Sequence, residues 1–336
     1  MAAFRIFAVA AAMVLGLLVG TDIVVRASFP HLDRFTSNFS EAYLDREMQT
    51  IAQDRAAIVF LGDSALWGYD VPPGDAAVSL LRRRGCHCRN LSFEGGSPAN
   101  TYAMLRALVA AGAAPQAVVF NVNQKEFNPV DSAYRTLHPS VSALAWPLLS
   151  PDERRLLASQ TADDFNARLD RTVAAHWKLY GLRSDLRELM YGDVDAVHAL
   201  SRGLERLSGA SARRDAAHRP TAERFEGTYD LTPLARSPDN VSLTFLRKTV
   251  ELLAERHIRA VAVLTPTNHA LLHAYIDSPE YRENLRSLTS LMERRGITVL
   301  DYDRSIPAAQ FFDNDHLTAE GNRSFAALMS GAIGFL

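Results

Sequence analysis

Of 336 residues only two are cysteine, Cys86 and Cys88, so no disulfide framework holds this fold together. The pair flanks His87, but no second Cys or His pair at ligand spacing follows, which excludes a structural zinc site and a metal or redox function built there. Two free thiols or one tight disulfide both suit a Cys-x-Cys turn. Charge of one sign is also missing: 36 basic residues stand against 38 acidic ones. A phosphate-binding face needs a basic surplus, so nucleic acid is not an expected partner. Repeats and low-complexity tracts are absent. With 48% hydrophobic residues and 22% charged, the chain reads as an ordinary globular protein with room for a large core.

Long apolar runs are missing too, apart from one. After Arg5 the chain is apolar from Ile6 to Val25, broken by small residues and by Thr21 and Asp22. Ile6 to Gly20 has the length of a signal-peptide core; adding Ile23 to Val25 approaches the roughly 20 residues of a spanning helix. Residues 1–27 therefore suit a membrane anchor of the cytoplasmic (inner) membrane or a cleaved signal ending near Val25-Arg26-Ala27. Either reading, with Arg5 inside, places residues 28–336 outside the cytoplasm, facing the periplasm or secreted.

The remainder alternates. Ala56 to Leu61 is a short apolar strand of the kind buried on both faces of a parallel sheet. Helical residues follow from Asp75 to Arg84, then a strand from Arg89 to Phe93. Ser97-Pro98 starts a helix that Gly112 stops, and Gln116 to Val122 is a third strand. From about Asn128 to Asn240 the alternation lapses. Ser150 and Glu153 form a capping box, Thr161 and Asp164 resemble another, and Phe165, Leu169, Val173 and Trp177 share a helix face. Residues 208–240 read as a loop. This section is a mainly helical insertion of about a third of the chain. Alternation resumes with a helix through Leu243 and Leu253, strands at Ile258 to Leu264 and Ile297 to Tyr302, and a last helix capped by Thr318. The fold expected is α/β: three layers around a five-stranded, parallel, doubly wound sheet, interrupted once.

Ligands of such sheets bind beyond the carboxyl ends of the strands. There the sequence places Gly62-Asp63-Ser64, then Asn90 to Gly96, then Asn121-Val-Asn123, and finally Asp313-Asn-Asp-His316. Each has a plainer reading alone. Ser64 suits a helix cap, Gly95 a turn, Asn123 a cap and His316 the surface, and a Gly-Asp-Ser triplet arises by chance in roughly one such chain in ten. Their agreement at one sheet edge is what points to chemistry. A serine hydroxyl needs a base to take its proton, the base needs an acid to hold its tautomer, and the tetrahedral oxyanion needs donors. Ser64 as nucleophile, His316 as base and Asp313 as acid meet the first two needs. Asp315 is the weaker acid, because beside His316 its side chain is expected to point elsewhere.

These segments resemble the SGNH (GDSL) hydrolase superfamily over residues 56–127 and 243–336. Gly62-Asp63-Ser64 matches its first block. Gly95, five residues after Asn90, matches the second, with Ser92 where that block has its first glycine. Asn123 matches the third block, in which Asn121 and Gln124 replace the glycine and final aspartate. Asp313 and His316 match the fifth. The resemblance implies a flavodoxin-like sheet and an oxyanion hole made of the N–H groups of Ser64 and Gly95 and the Asn123 amide, with no cofactor and no metal. It further implies an esterase or O-acyltransferase acting on acyl, above all acetyl, esters of envelope carbohydrate, with a membrane acyl-donor protein as a possible partner. A lipase or thioesterase, and a non-catalytic binding or scaffold protein that keeps the fold, are the other readings. Trp67 could stack on a sugar ring, and His269 and His273 could line the pocket. Trp146, Trp177, Tyr180 and His176 suit the insertion's core, and Arg213, Arg214 and Arg219 a solvated loop.

Overall fold

The computed structural model describes residues 13–24, 41–54, 57–69, 71–113, 115–129, 131–157, 173, 177, 221–237 and 239–334. Strands β1 (Ile58–Leu61), β2 (Cys88–Asn90), β3 (Ala117–Val122), β4 (Arg259–Leu264) and β5 (Thr298–Asp301) form one sheet in the order β2-β1-β3-β4-β5. Every pairing is parallel, with Ile58 opposite Cys88 and Ala117, and Ala117 opposite Arg259. Parallel strands must be joined by crossovers, and each crossover here carries a helix. The architecture is the doubly wound α/β sheet expected from the alternation.

Burial follows the pleat. Ile58, Phe60, Ala117, Val119, Val261 and Val263 share one face, where they pack on Ala77, Val78 and Leu81 of the helix Ala77–Arg83 and on Phe325, Ala326 and Met329 of the helix Ala319–Ile333. Val59, Leu61, Val118, Phe120 and Ala262 alternate to the other face and are buried as completely. The helices Pro98–Ala110, Val241–Glu255 and Pro279–Glu293 pack in sequence against one another on that side. Strands β1 and β3 have no exposed residue, as central strands of a sheet covered on both faces should not.

β2 runs from Cys88 to Asn90, starting one residue before the expected Arg89 and stopping three short of Phe93, although Leu91 N and Phe93 N still donate to Phe60 O and Gly62 O at the end of β1. Cys86 and Cys88 are disulfide-bonded, with Cα atoms 5.4 Å apart, inside the ordinary range for a bridge. Of the insertion, helices Pro139–Ala145 and Pro151–Leu156 are described, the second opened by the Ser150–Glu153 capping box. Residues 221–237 hold single-turn helices at Ala222–Phe225 and Leu234–Arg236, and bury Tyr229 and Leu234. The second capping box, Phe165 and Leu169 of the helix stripe, Tyr180, His176 and the three loop arginines lie outside the described residues. Residues 13–24 are helical, and among the described residues no helix is long and apolar enough to cross a membrane. The sheet and everything described below belong to residues 41–160 and 216–336, one of two compact units.

Candidate active site

The order β2-β1-β3 means the chain leaves β1 in one direction and returns to β3 on the other side, which opens a crevice at their carboxyl ends. Gly62, Asp63 and Ser64 leave β1 at that crevice. Asp63 caps the helix Ser64–Trp67 by accepting from Ala65 N at 2.9 Å, which sets Ser64 at the first helical position. The turn is tight. A Cβ on Gly62 would fall 1.7 Å from Asn121 Oδ1, and one on Gly96 would fall 2.2 Å from the Gly62 carbonyl oxygen. Both positions must be glycine for the nucleophile turn to pack between β2's loop and β3.

Ser64, His316 and Asp313 are brought together. Ser64 Oγ lies 2.8 Å from His316 Nε2, and His316 Nδ1 donates to Asp313 Oδ2 at 2.7 Å. The other oxygen of Asp313 accepts from the backbone N–H groups of Asp315 (3.1 Å) and His316 (2.9 Å). Those two bonds curl the loop so that the imidazole meets its own acid three residues back. Tyr69 stacks on the His316 ring, centroids 4.2 Å apart. Burial disfavours charge on Asp313, but the bonds from His316 and the two N–H groups outweigh it and hold the carboxyl below its ordinary value. Burial likewise opposes charge on His316. The bond to Asp313 and the negative charges of Asp315 and Asp313 outweigh burial and the opposing charge of Lys125, so the imidazole lies above its ordinary value.

The three expected oxyanion donors fare differently. Ser64 N–H and Gly95 N–H have no acceptor among the described residues, and Gly95 is exposed in a turn at φ +74°. Asn123 is buried. Its amide nitrogen donates to Asp315 Oδ2 at 2.6 Å and lies 3.5 Å from Asp63 Oδ2, while its oxygen accepts from Lys125 N. In this state carboxylates occupy the amide that the resemblance assigns to the oxyanion.

Asp315 departs from expectation. Its side chain does not point away: it is fully buried under the ring, with Oδ1 3.8 Å from His316 Nδ1 and Oδ2 paired with Lys125 Nζ. The curled 313–316 turn is the cause. Behind it, Glu126 is held well above the carboxylate range by burial, by the charge of Asp63 and by their mutual hydrogen bond. Asn121, which stands where the third block has glycine, clamps Asp63 from both sides: Oδ1 accepts from Asp63 N at 3.0 Å and Nδ2 donates to Asp63 Oδ1 at 2.6 Å. Asn121, Lys125, Glu126 and Tyr69 were not singled out as site residues by the sequence. The available signal was an asparagine inside an otherwise apolar strand, which must find partners when buried.

Asp313, Asp315 and His316 place ligand atoms within 4.8 Å of one another, yet they do not make a metal site. Both imidazole nitrogens already face Ser64 and Asp313, and a lysine ammonium sits on Asp315. Of the residues that could line the pocket, His269 is braced between Asp303 (2.7 Å) and Asp277 (3.3 Å), and His273 meets its own helix at Ala270 O. Trp67 is half-buried at the end of the nucleophile helix.

A protein-family model matches residues 235–335, less than half of the chain. No curated protein matches. Among solved structures 16 chains match. One, from Desulfitobacterium hafniense and assigned as a lipolytic protein of the G-D-S-L family, is 11% identical over 83% of this chain and 99% of its own, with a TM-score of 0.40. Another, from Bacteroides fragilis and assigned as an acylhydrolase, is 13% identical over 89% of this chain and 99% of its own, with a TM-score of 0.44. At these identities neither likeness speaks to what this chain acts on.

Proposed function

We propose that the chain is a serine esterase or O-acyltransferase of SGNH type. The observation that carries the reading is the unbroken line from Ser64 Oγ through His316 to Asp313, with contacts of 2.8 and 2.7 Å. Ser64 Oγ attacks an acyl carbonyl while His316 Nε2 takes its proton, and Asp313 stabilises the imidazolium. The open N–H groups of Ser64 and Gly95 receive the oxyanion. His316 then returns the proton to the departing alkoxide, leaving an acyl group on Ser64. Water or a sugar hydroxyl, deprotonated by the same imidazole, removes it.

Acetyl esters of envelope carbohydrate are the substrate class we favour. The apolar run after Arg5 and the positive-inside rule support an envelope location, anchored in the cytoplasmic membrane or secreted, and a membrane acyl-donor protein as partner. Phe312, exposed by 52% beside Asp313, offers a surface to a sugar face or a short acyl group. A second reading, a non-catalytic binding protein that keeps the fold, draws on the Asn123 amide being held by carboxylates. Labelling by a serine-reactive fluorophosphonate separates the two. The full chain takes up the label and the Ser64→Ala variant does not if the enzyme reading is right; a folded natural protein that neither labels nor turns over acetyl esters rejects it.

A further inference from the structure

Asp315 is wholly buried, and its Oδ1 has no hydrogen-bond donor and faces the catalytic imidazole at 3.8 Å. A bare buried anion is costly, so something must compensate it. Its other oxygen shows what does: Asn123 Nδ2 donates at 2.6 Å and Lys125 Nζ makes the ion pair. Lys125 sits at the start of the turn that leaves β3, with only 14% of its side chain exposed. It stands against Asp315 even though burial disfavours its charge, because Asp315, together with Tyr134, Tyr229 and Asp63, outweighs that penalty and keeps the amine well above its ordinary value.

The network runs further. Asn123 lies 3.5 Å from Asp63 Oδ2, and Asp63 caps the nucleophile helix. The base loop after β5 and the nucleophile turn after β1 are thus joined through the end of β3, beneath the triad rather than across its open face.

The geometry points to Lys125 and Asp315 as positioning residues for the base: an opposed pair of charges that sets where His316 titrates and keeps its Nδ1 proton on Asp313. Asp315 alone would compete with Asp313 for that proton and pull the imidazole toward its charged form. Lys125 alone would push it the other way. Paired, they oppose one another, with Asp315 acting more strongly on the ring than Lys125, while Asn123 fixes the carboxylate in place. The inference deepens the proposed function and rests on His316 being its base.

Other groups face the ring and are accounted for. From the nucleophile side come the Ser64 hydroxyl and the stacked Tyr69. From its own loop come Asp313 and Asp315. From the β3 turn comes Lys125, with Glu126 and Asp63 one layer behind, and Tyr134 and Tyr229 lie near enough to act on Lys125. Among these described groups Lys125 is the one permanent cation, which is why removing it has a predictable sign.

The test is the pKa of His316 itself, read by NMR from its imidazole C–H resonance in the full chain and assigned by its loss in His316→Gln. Lys125→Met should raise that pKa, and Asp315→Asn should lower it by about one unit or more, since a charge within about 4–6 Å shifts a titration by roughly 1–3 units. The double variant should fall between the two single variants. A purely structural role predicts no such opposed movement. If Lys125→Met fails to fold, Asp315→Asn and the double variant still decide: a lowered pKa that the second substitution partly restores supports the inference. Shifts in one common direction, or none, overturn it. Because the readout needs no substrate, opposed shifts in a protein that turns over no ester would uphold the charge pair and reject the esterase reading instead.

Discussion

The carboxylate of Asp313 meets His316 twice: Oδ2 accepts from the ring Nδ1 at 2.7 Å, and Oδ1 accepts from the backbone N–H of the same residue at 2.9 Å. One bond fixes the tautomer and the other fixes the turn that delivers the ring. Asp313→Asn should therefore cost kcat on an acetyl ester a factor on the order of 10⁴, since an amide in that place stabilises the wrong tautomer. Asp315→Asn should cost far less, because Asp315 makes no hydrogen bond to the ring. Steady-state kinetics of the two variants, side by side, check the assignment; comparable losses would mean the acid has been misidentified.

The pH profile follows from the same loop. Asp313 and Asp315 together hold the imidazolium form of His316 above its ordinary value, against burial and Lys125. Only the neutral ring accepts the serine proton, so kcat/KM should fall as pH drops through that raised value. The acid limb is expected above about 6.5, the value of an unperturbed imidazole. An acid limb well below it, measured on the free enzyme, would show that His316 is not the group being titrated.

Two neighbouring glycines should behave differently. Gly95→Ala meets no atom within 4 Å, so its cost is the left-handed backbone, about 1–2 kcal/mol of stability. Gly96→Ala drives a methyl into the Gly62 carbonyl and the Asp63 Cα. It should displace Ser64, and lose activity by 10²-fold or more even where the variant stays folded. Thermal unfolding and kcat/KM on both variants separate the effects.

Legibility in the sequence tracked how local each determinant was. Strand β1 is apolar over its whole length, β3 is apolar but for Asn121 and β4 but for Arg259, and all three were readable, as were the helix caps at Ser97 and Thr318, because each depends on a few adjacent residues. Ser64, Asp313 and His316 could be proposed because their positions follow from the order of strands. Asp315 could not: whether it points away from the ring or beneath it depends on how Asp313 Oδ1 gathers two N–H groups, a detail of one turn. Lys125 was equally hidden, since a lysine after a strand reads as solvated until the carboxylate beside it, far along the chain, is known. The same holds for Asn123, where the motif names the residue and the cluster beneath the triad decides its partner.

Stability should carry its own pH signature. Burial pushes His138 down to about 4, so the folded protein keeps it neutral while the unfolded chain protonates it near the ordinary value. The sign follows from proton counts: between about 6.5 and 4 the unfolded state binds more protons, and stability declines as pH falls through that window. Glu153 adds a second loss at lower pH. Burial opposes its charge, but bonds from Tyr102, Ser150 N and Lys248 outweigh it and hold the carboxyl below its ordinary value. It ties three helices together, with Tyr102 Oη donating at 2.7 Å and Lys248 Nζ at 3.0 Å. Glu153→Gln should cost about 1–3 kcal/mol at neutral pH and flatten the acid end of the curve. Denaturant midpoints from pH 3 to 8 for the natural chain and this variant measure both.

The most direct test of the central claim is turnover of a small acetyl ester by the full chain beside its Ser64→Ala variant, with fluorophosphonate labelling of both. Turnover and label present in the natural protein and absent from the variant are what a Ser64–His316–Asp313 line predicts. A folded natural protein with neither, or a variant that keeps both, would contradict it.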